Sequence, residues 1–256
     1  MKKSIGFIGG GRITGIILQA FKNQTAELGK IFIYDINTDA INALKKVYPE
    51  SESSDLKTAA SCDIVFIALH PPVIMESLNK IKDLINQESV FISLAPKITL
   101  QNIANTLGNN NVVRLIPNAT SLINKGYNPV CFHSDFKAKD QIINLLRVMG
   151  TTFETPEPKL EAYAIVSAML PTYFWFQWFE LLKIAQQIGL SEAESKEAIE
   201  QTLRSALDLM FNSGLTHNAL NDLIPVKPIA EDEDQIRAIY QSKLTGLFSK
   251  IKPVIQ

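Results

Sequence analysis

Apolar positions fall along this chain in two textures. Up to about residue 155, short continuous apolar runs alternate with segments whose apolar residues recur every three or four positions. The runs cover residues 5–8, 31–34, 63–69, 89–94, 111–116 and 130–132, and residues 152–154 complete this half. Helical spacing covers residues 16–21, 41–48, 73–84, 99–107 and 140–149. A continuous apolar run of strand length suits a strand buried on both faces. The alternation therefore predicts a parallel sheet covered by helices on each side. Local punctuation agrees with this reading. Pro71-Pro72 suits a helix start, Thr99 can cap a helix, and Gly108 can end it.

After Pro156-Glu157-Pro158 no further strand pattern occurs. Residues 160–169 read as a helix. So do residues 171–188, with six aromatics from Tyr173 to Phe179. Ser191 and Glu194 form a capping-box pattern opening a helix to about Asn212, with Gly214 as its stop. A polar loop with Pro225 and Pro228 precedes a last helix over residues 232–250. The expected division is an α/β domain over residues 1–155 and an all-α domain over residues 156–256. The aromatic helix is apolar nearly all round and needs cover on most faces. A homodimer supplies that cover, which makes the all-α part a dimerisation domain.

The first 35 residues carry the most specific chemistry. The run Ile5-Gly6-Phe7-Ile8 leads into Gly9-Gly10-Gly11-Arg12-Ile13-Thr14-Gly15. A helical pattern follows, and the second run, Ile31-Phe32-Ile33-Tyr34, ends in Asp35. Strand, glycine turn, helix, strand and acid are the parts of a Rossmann dinucleotide-binding unit. Gly9 allows the sharp turn out of the strand. Gly11 leaves room for a pyrophosphate against the backbone, at the positive end of the following helix. A carboxylate at Asp35 can accept hydrogen bonds from ribose hydroxyls and repels a 2′-phosphate, so NAD is favoured over NADP. Asp35 can also be read as a solvated turn acid or a helix cap. Thr14 stands where a strict G-x-G-x-x-G has its third glycine.

Bulk properties narrow the alternatives. The chain has 256 residues, 46% hydrophobic and 20% charged, which is ample for a core. A net charge of −1 gives no electrostatic case for nucleic acid or an anionic membrane. No apolar run approaches a bilayer span, and the start lacks a signal-peptide core. Cys62 and Cys131 show no metal-ligand spacing and suit a reducing cytoplasm as small buried hydrophobes. No metal is expected. No nucleophile elbow or P-loop occurs, so hydrolase and phosphate-transfer chemistry is disfavoured.

In order and spacing the chain resembles the pyrroline-5-carboxylate reductase family over nearly its full length. The opening glycine segment, Asp63-Ile-Val-Phe-Ile-Ala-Leu-His-Pro71, Ser93-Leu-Ala95, Val113-Arg114-Leu-Ile-Pro117-Asn118 and Pro171-Thr-Tyr173 carry the resemblance. It implies a Rossmann domain, an interleaved helical dimer, and hydride transfer from a nicotinamide to a cyclic imine, the last step of proline synthesis. It also implies that Gly9, Gly11, Arg12 and Ile13 line the phosphates, and that Asp35 and Asn37 face the adenosine. By the same resemblance Leu69, His70 and Pro71 lie along the cofactor, with Ala95 and Asn118 near the nicotinamide.

The substrate end departs from the family pattern. Where the family has Ser-Gly-Ser-Gly-Pro-Ala-Tyr, the chain reads Ser167-Ala-Met-Leu-Pro-Thr-Tyr173. Its carboxylate-binding loop, Ser-Pro-Gly-Gly-Thr-Thr, is replaced by Pro225-Val-Lys-Pro-Ile-Ala230. The Ala-Gly after the fourth strand has become Pro96-Lys97. Lys97 or Lys227 could replace the lost donors for a carboxylate. Tyr173, Thr172, His217 or Thr216 could supply a proton. Two alternatives stay open: a related hydroxyacid-type dehydrogenase or other two-domain NADP oxidoreductase, and a dinucleotide-binding protein without catalysis.

Overall fold

The computed structural model describes residues 2–25 and 27–253. Eight strands form one sheet: β1 (Ile5–Ile8), β2 (Ile31–Tyr34), β3 (Glu52–Ser53), β4 (Ile64–Ile67), β5 (Val90–Ser93), β6 (Val112–Leu115), β7 (Gly126–Phe132) and β8 (Gly150–Glu154). Their order is β3-β2-β1-β4-β5-β6-β7-β8. From β3 to β6 every neighbouring pair is parallel. All four residues of β1, β4, β5 and β6 are buried, as continuous apolar runs require. Phe7 of β1 pairs in register with Phe66 of β4, and their rings stack at 4.9 Å.

The helices of this half are α1 (Arg12–Asn23), α2 (Thr38–Val47), α3 (Leu56–Ala60), α4 (Pro71–Ile81), α5 (Leu100–Leu107), α6 (Lys139–Leu146) and α7 (Glu157–Tyr163). Chain order reverses at β1: the connection through α1 runs outward to β2, whereas β4 and β5 continue on the other side. In such a sheet this switch point opens a crevice at the carboxyl ends of the strands.

One expectation needs correction. The sheet is mixed, because β7 runs antiparallel to β6. The two are joined by a 3-10 turn over Ala119–Ile123, with no crossover helix to return the chain. A short connection of that kind reverses strand direction. The following strand, β8, lies parallel to β7.

The chain divides into two compact units at Ala168, with the described residues from Leu247 to Pro253 belonging to the first. The expected boundary at residues 155/156 falls too early for a physical reason. Glu157 and Glu161 of α7 pair with Arg114 of β6, and Ser167 bonds Asn118. Tyr163 packs its ring on Tyr127 and Phe153. A π-helical turn, Ala164–Ala168, ends this unit.

The second unit contains α8 (Leu170–Gln187), α9 (Glu192–Asn212), α10 (His217–Asp222) and most of α11 (Glu233–Ile251). Ser191 and Glu194 form the expected capping box. α8, α10 and α11 bury no residue completely, and α9 buries only Ser195. Phe176, Phe179 and Phe211 are 67%, 65% and 72% exposed.

Candidate active site

The sheet brings most of the expected cofactor residues to one edge. Asp35 follows β2, Gly9 follows β1, Leu69 follows β4, Ala95 follows β5 and Asn118 follows β6. These five strands are consecutive in the sheet. Positions scattered over more than a hundred residues of sequence thus form one row along the carboxyl edge, spanning the switch point.

The glycine turn is built at the tip of β1. Gly9 has φ of +109°, and a Cβ there would overlap the Ala68 carbonyl and press on Leu69. Both reasons demand glycine. Gly11 differs: a Cβ on it would meet nothing within 4 Å. No protein atom requires glycine there, so the space over it is open to a ligand. The Gly10 N–H donates to Asp35 Oδ2 at 2.6 Å, and the Asn37 N–H donates to Asp35 Oδ1 at 2.8 Å. The Asp35 carboxylate thereby fixes the turn, while a carboxylate oxygen retains capacity for a further donor. Thr14, fully buried, donates its hydroxyl to the Gly9 carbonyl at 2.7 Å. It fills the third-glycine position by tying helix to turn.

Helix ends around the crevice differ in their caps. Asn37, Asp55 and Thr99 cap α2, α3 and α5 with their own side chains. At the switch point, Gly11 and His70 give α1 and α4 no side-chain cap. α1 has no acid in its first turn and begins with exposed Arg12. Its leading N–H groups lack intrahelical acceptors, and its positive end carries an added cation. Gly11, Arg12 and half-buried Ile13 therefore form a cradle suited to a diphosphate. These residues fit a dinucleotide.

Other expected residues have structural duties. Asn37 Oδ1 accepts from the Asp39 and Ala40 N–H groups, so that oxygen is the α2 cap. Asn118 uses both ends of its amide: Nδ2 donates to Ser167, and Oδ1 accepts from Thr120. Its polar atoms hold the chain after β6 in place. Half-buried Leu69 and Pro71 and exposed His70 occupy the link from β4 into α4.

In the second unit, the Thr172 hydroxyl donates to the Met169 carbonyl at 2.7 Å. Half-buried Tyr173 stands edge-on to Tyr240, with ring centres 6.1 Å apart. Burial, and then Tyr240, push its hydroxyl above the usual tyrosine range, so it is a neutral phenol. The Thr216 hydroxyl accepts from the Ala219 N–H as the cap of α10, and His217 contacts Asn221. Lys227 lies in an exposed loop beside Val226 and Ile229.

Sequence reasoning missed one cluster. Arg114 of β6 is 0% exposed. Its Nη1 donates to Glu157 Oε1 at 2.8 Å, and its Nη2 donates to Glu161 Oε1 and, at 3.4 Å, to the Ala95 carbonyl. The carboxylates also hold the chain after β5: Lys97 N–H donates to Glu161 Oε1 at 3.2 Å, and Leu100 N–H to Glu157 Oε1 at 2.7 Å. Burial opposes the Arg114 charge, but Glu161 and Glu157 outweigh it and hold the guanidinium above its ordinary range. The available signal was a lone arginine in the apolar run Val112-Val113-Arg114-Leu115-Ile116, which cannot be buried unpaired. Among the described residues, no group of three or more His, Cys, Asp or Glu could hold a metal ion.

A family model described as NADP oxidoreductase coenzyme F420-dependent matches residues 4–97. The chain is 27% identical over 230 residues to pyrroline-5-carboxylate reductase of Escherichia coli strain K12, covering 88% of this chain and 85% of that protein. It is 26% identical over 249 residues to pyrroline-5-carboxylate reductase 2 of Bacillus subtilis, covering 94% and 88%. The crystal structure of Plasmodium falciparum pyrroline carboxylate reductase with NADP bound superposes with a TM-score of 0.74 at 20% identity, covering 97% of this chain and 94% of that one. These matches span most of the chain, and together with the ordered row of motifs on the sheet edge they make it similar to the pyrroline-5-carboxylate reductases in sequence and in fold.

Proposed function

We propose that this protein is an NAD(P)H-dependent reductase that transfers hydride to the C=N bond of a cyclic imine of the pyrroline-5-carboxylate type. The observation that carries this reading is the cradle at the switch point: a backbone-required Gly9, an open Gly11 and an uncapped α1 starting with Arg12. Gly11, Arg12 and Ile13 hold the diphosphate through backbone N–H groups and the guanidinium. Asp35 receives the adenosine ribose, which favours NAD. Leu69, His70, Pro71, Ala95 and Asn118 border the rest of the cofactor; Asn118 does so by shaping the chain.

The nicotinamide, when bound, supplies the hydride. An iminium substrate carries its own proton near neutral pH, so the protein's task is to orient the ring and exclude water. The neutral phenol of Tyr173 is suited to donate a hydrogen bond to the substrate. Thr172, whose hydroxyl is committed to Met169, orients the start of α8. The exposed apolar faces of α8 and α9 support a homodimer built on the helical unit. Buried free Cys62 and Cys131 suit a reducing cytoplasm.

Turnover tests the reading. Purified protein is mixed with NADH or NADPH and pyrroline-5-carboxylate, then with a panel of other imines and ketoacids, and nicotinamide absorbance is followed. Oxidation of the cofactor with pyrroline-5-carboxylate is expected. The loop of residues 225–230, with exposed Val226 and Ile229 in place of glycines and hydroxyls, favours a second reading in which a less polar imine is the better acceptor. Cofactor binding without turnover across the panel would refute catalysis.

A further inference from the structure

Lys97 adopts φ of +76°, one of three positive-φ non-glycine residues among those described. A lysine in the left-handed region is held there against its preference. The holding is done by the buried cluster already described. Ala95 O, Lys97 N–H and Leu100 N–H are all bonded by Arg114, Glu161 or Glu157. Arg114 and Glu161 are almost wholly buried, and removing either would strand the other's charge. The strained conformation is therefore over-determined, as it is where strain serves function.

Three positions between β5 and the first residue of α5 are fixed, yet the Lys97 side chain itself is exposed. The loop leaves β5 on the same edge as Gly9 and Leu69. The cluster costs the protein two buried polar atoms, Arg114 Nε and Glu161 Oε2, that find no hydrogen-bond partner. Such a cost for a mere surface turn is poorly accounted for, since a glycine at position 97 would adopt the same backbone freely.

We propose that Lys97 is a specificity residue: its ammonium, carried on a backbone that the Arg114–Glu161–Glu157 cluster holds in place, recognises an anionic group on the hydride acceptor, a carboxylate above all. The proposal rests on the imine-reductase reading. Lys97 acts as a compact point charge on the exposed side of a fixed segment at the carboxyl edge of the sheet.

The test uses the full-length protein with Lys97→Gly, Lys97→Met and Lys97→Arg. Glycine keeps the loop conformation and removes the charge. Methionine keeps most of the length and the strain. KM is compared for 1-pyrroline-5-carboxylate and for 1-pyrroline, which lacks the carboxylate, and NADH affinity is titrated on each variant. The expected result is a KM for the carboxylate acceptor raised about tenfold or more in Gly and Met, with a much smaller change for 1-pyrroline, and most of the loss restored in Arg. Equal KM changes for the two acceptors would reduce Lys97 to a loop-shape residue and overturn the proposal, as would no change for either. If the wild type binds NADH but reduces neither acceptor, the imine-reductase reading fails instead. Calorimetric titration of the NAD complex with L-proline and with pyrrolidine then decides Lys97 by itself. Proline binding weakened about tenfold in Lys97→Gly supports the proposal. Equal affinity, or no proline binding to the wild type, overturns it.

Discussion

The Gly10 N–H donates to Asp35 Oδ2 at 2.6 Å, so the acid at the tip of β2 is part of the glycine turn at the tip of β1. One carboxylate therefore links backbone order in the turn to the end of the crevice proposed to receive the adenosine ribose. In Asp35→Ser, the ratio of NADPH to NADH dissociation constants moves toward one. Fluorescence titration with both cofactors measures this. An unchanged ratio would contradict a ribose role and leave Asp35 as a turn anchor alone.

Gly9 and Gly11 separate scaffold from ligand. Gly9→Ala places a Cβ against the Ala68 carbonyl at φ +109°. It should destabilise the fold by about 2 kcal/mol or more. Gly11→Ala meets no protein atom, so its stability should stay within about 0.5 kcal/mol of wild type. Its dinucleotide affinity should nonetheless fall by about tenfold or more, because the methyl group enters space proposed for the diphosphate. Urea unfolding beside cofactor titration checks both halves. Equal cofactor affinity in Gly11→Ala would move the diphosphate elsewhere.

Arg114 and Glu161 are buried partners, and losing one leaves the other charged and unpaired. Glu161→Ala should cost about 3–5 kcal/mol of stability. A midpoint shift in urea with an unchanged slope is the expected signature. A loss below about 1 kcal/mol would mean that water reaches the site and the cluster is not a rigid clamp.

Much of this was legible in the sequence. Apolar runs located six of the eight strands, because strands covered on both faces are built mostly from apolar residues. What escaped was set by tertiary contacts or by short length. β3 is two exposed polar residues, Glu52–Ser53, and α3 has only five residues. The first half of β7 contains Asn128, a polar residue that is buried because its side chain bonds the Asn118 N–H and the Ser121 hydroxyl. The site followed the same rule. The glycine turn and Asp35 are close in sequence and could be read directly. The Arg114–Glu161 pairing joins β6 to α7, and no local pattern announces its geometry.

Burial pushes the Cys62 thiol up to about 11 and the Cys131 thiol up to about 12. Both values exceed the ordinary thiol value of 9.0, so the folded state keeps protons that the unfolded chain would release. The stability tied to them is complete below pH 9.0 and declines as pH rises through about 11. Near pH 8 neither thiol should react with iodoacetamide until the protein is denatured, as mass spectrometry would show. Rapid native alkylation of Cys62 would contradict its burial.

Phe176, Phe179 and Phe211 leave a large apolar area on the helical unit in water. Sedimentation at micromolar concentration is expected to show a dimer, and Phe179→Asp should shift it toward monomer. A wild-type monomer would refute the dimer.

The crevice at the β1–β4 switch point is the proposed seat of a nicotinamide dinucleotide. Titration of the purified protein with NADH, followed by calorimetry and repeated with NADPH, tests it most directly. Saturable binding of one cofactor per chain, abolished or strongly weakened in Gly11→Ala, is the predicted result. Binding of neither NADH nor NADPH to the folded protein would rule out a dinucleotide site at this crevice.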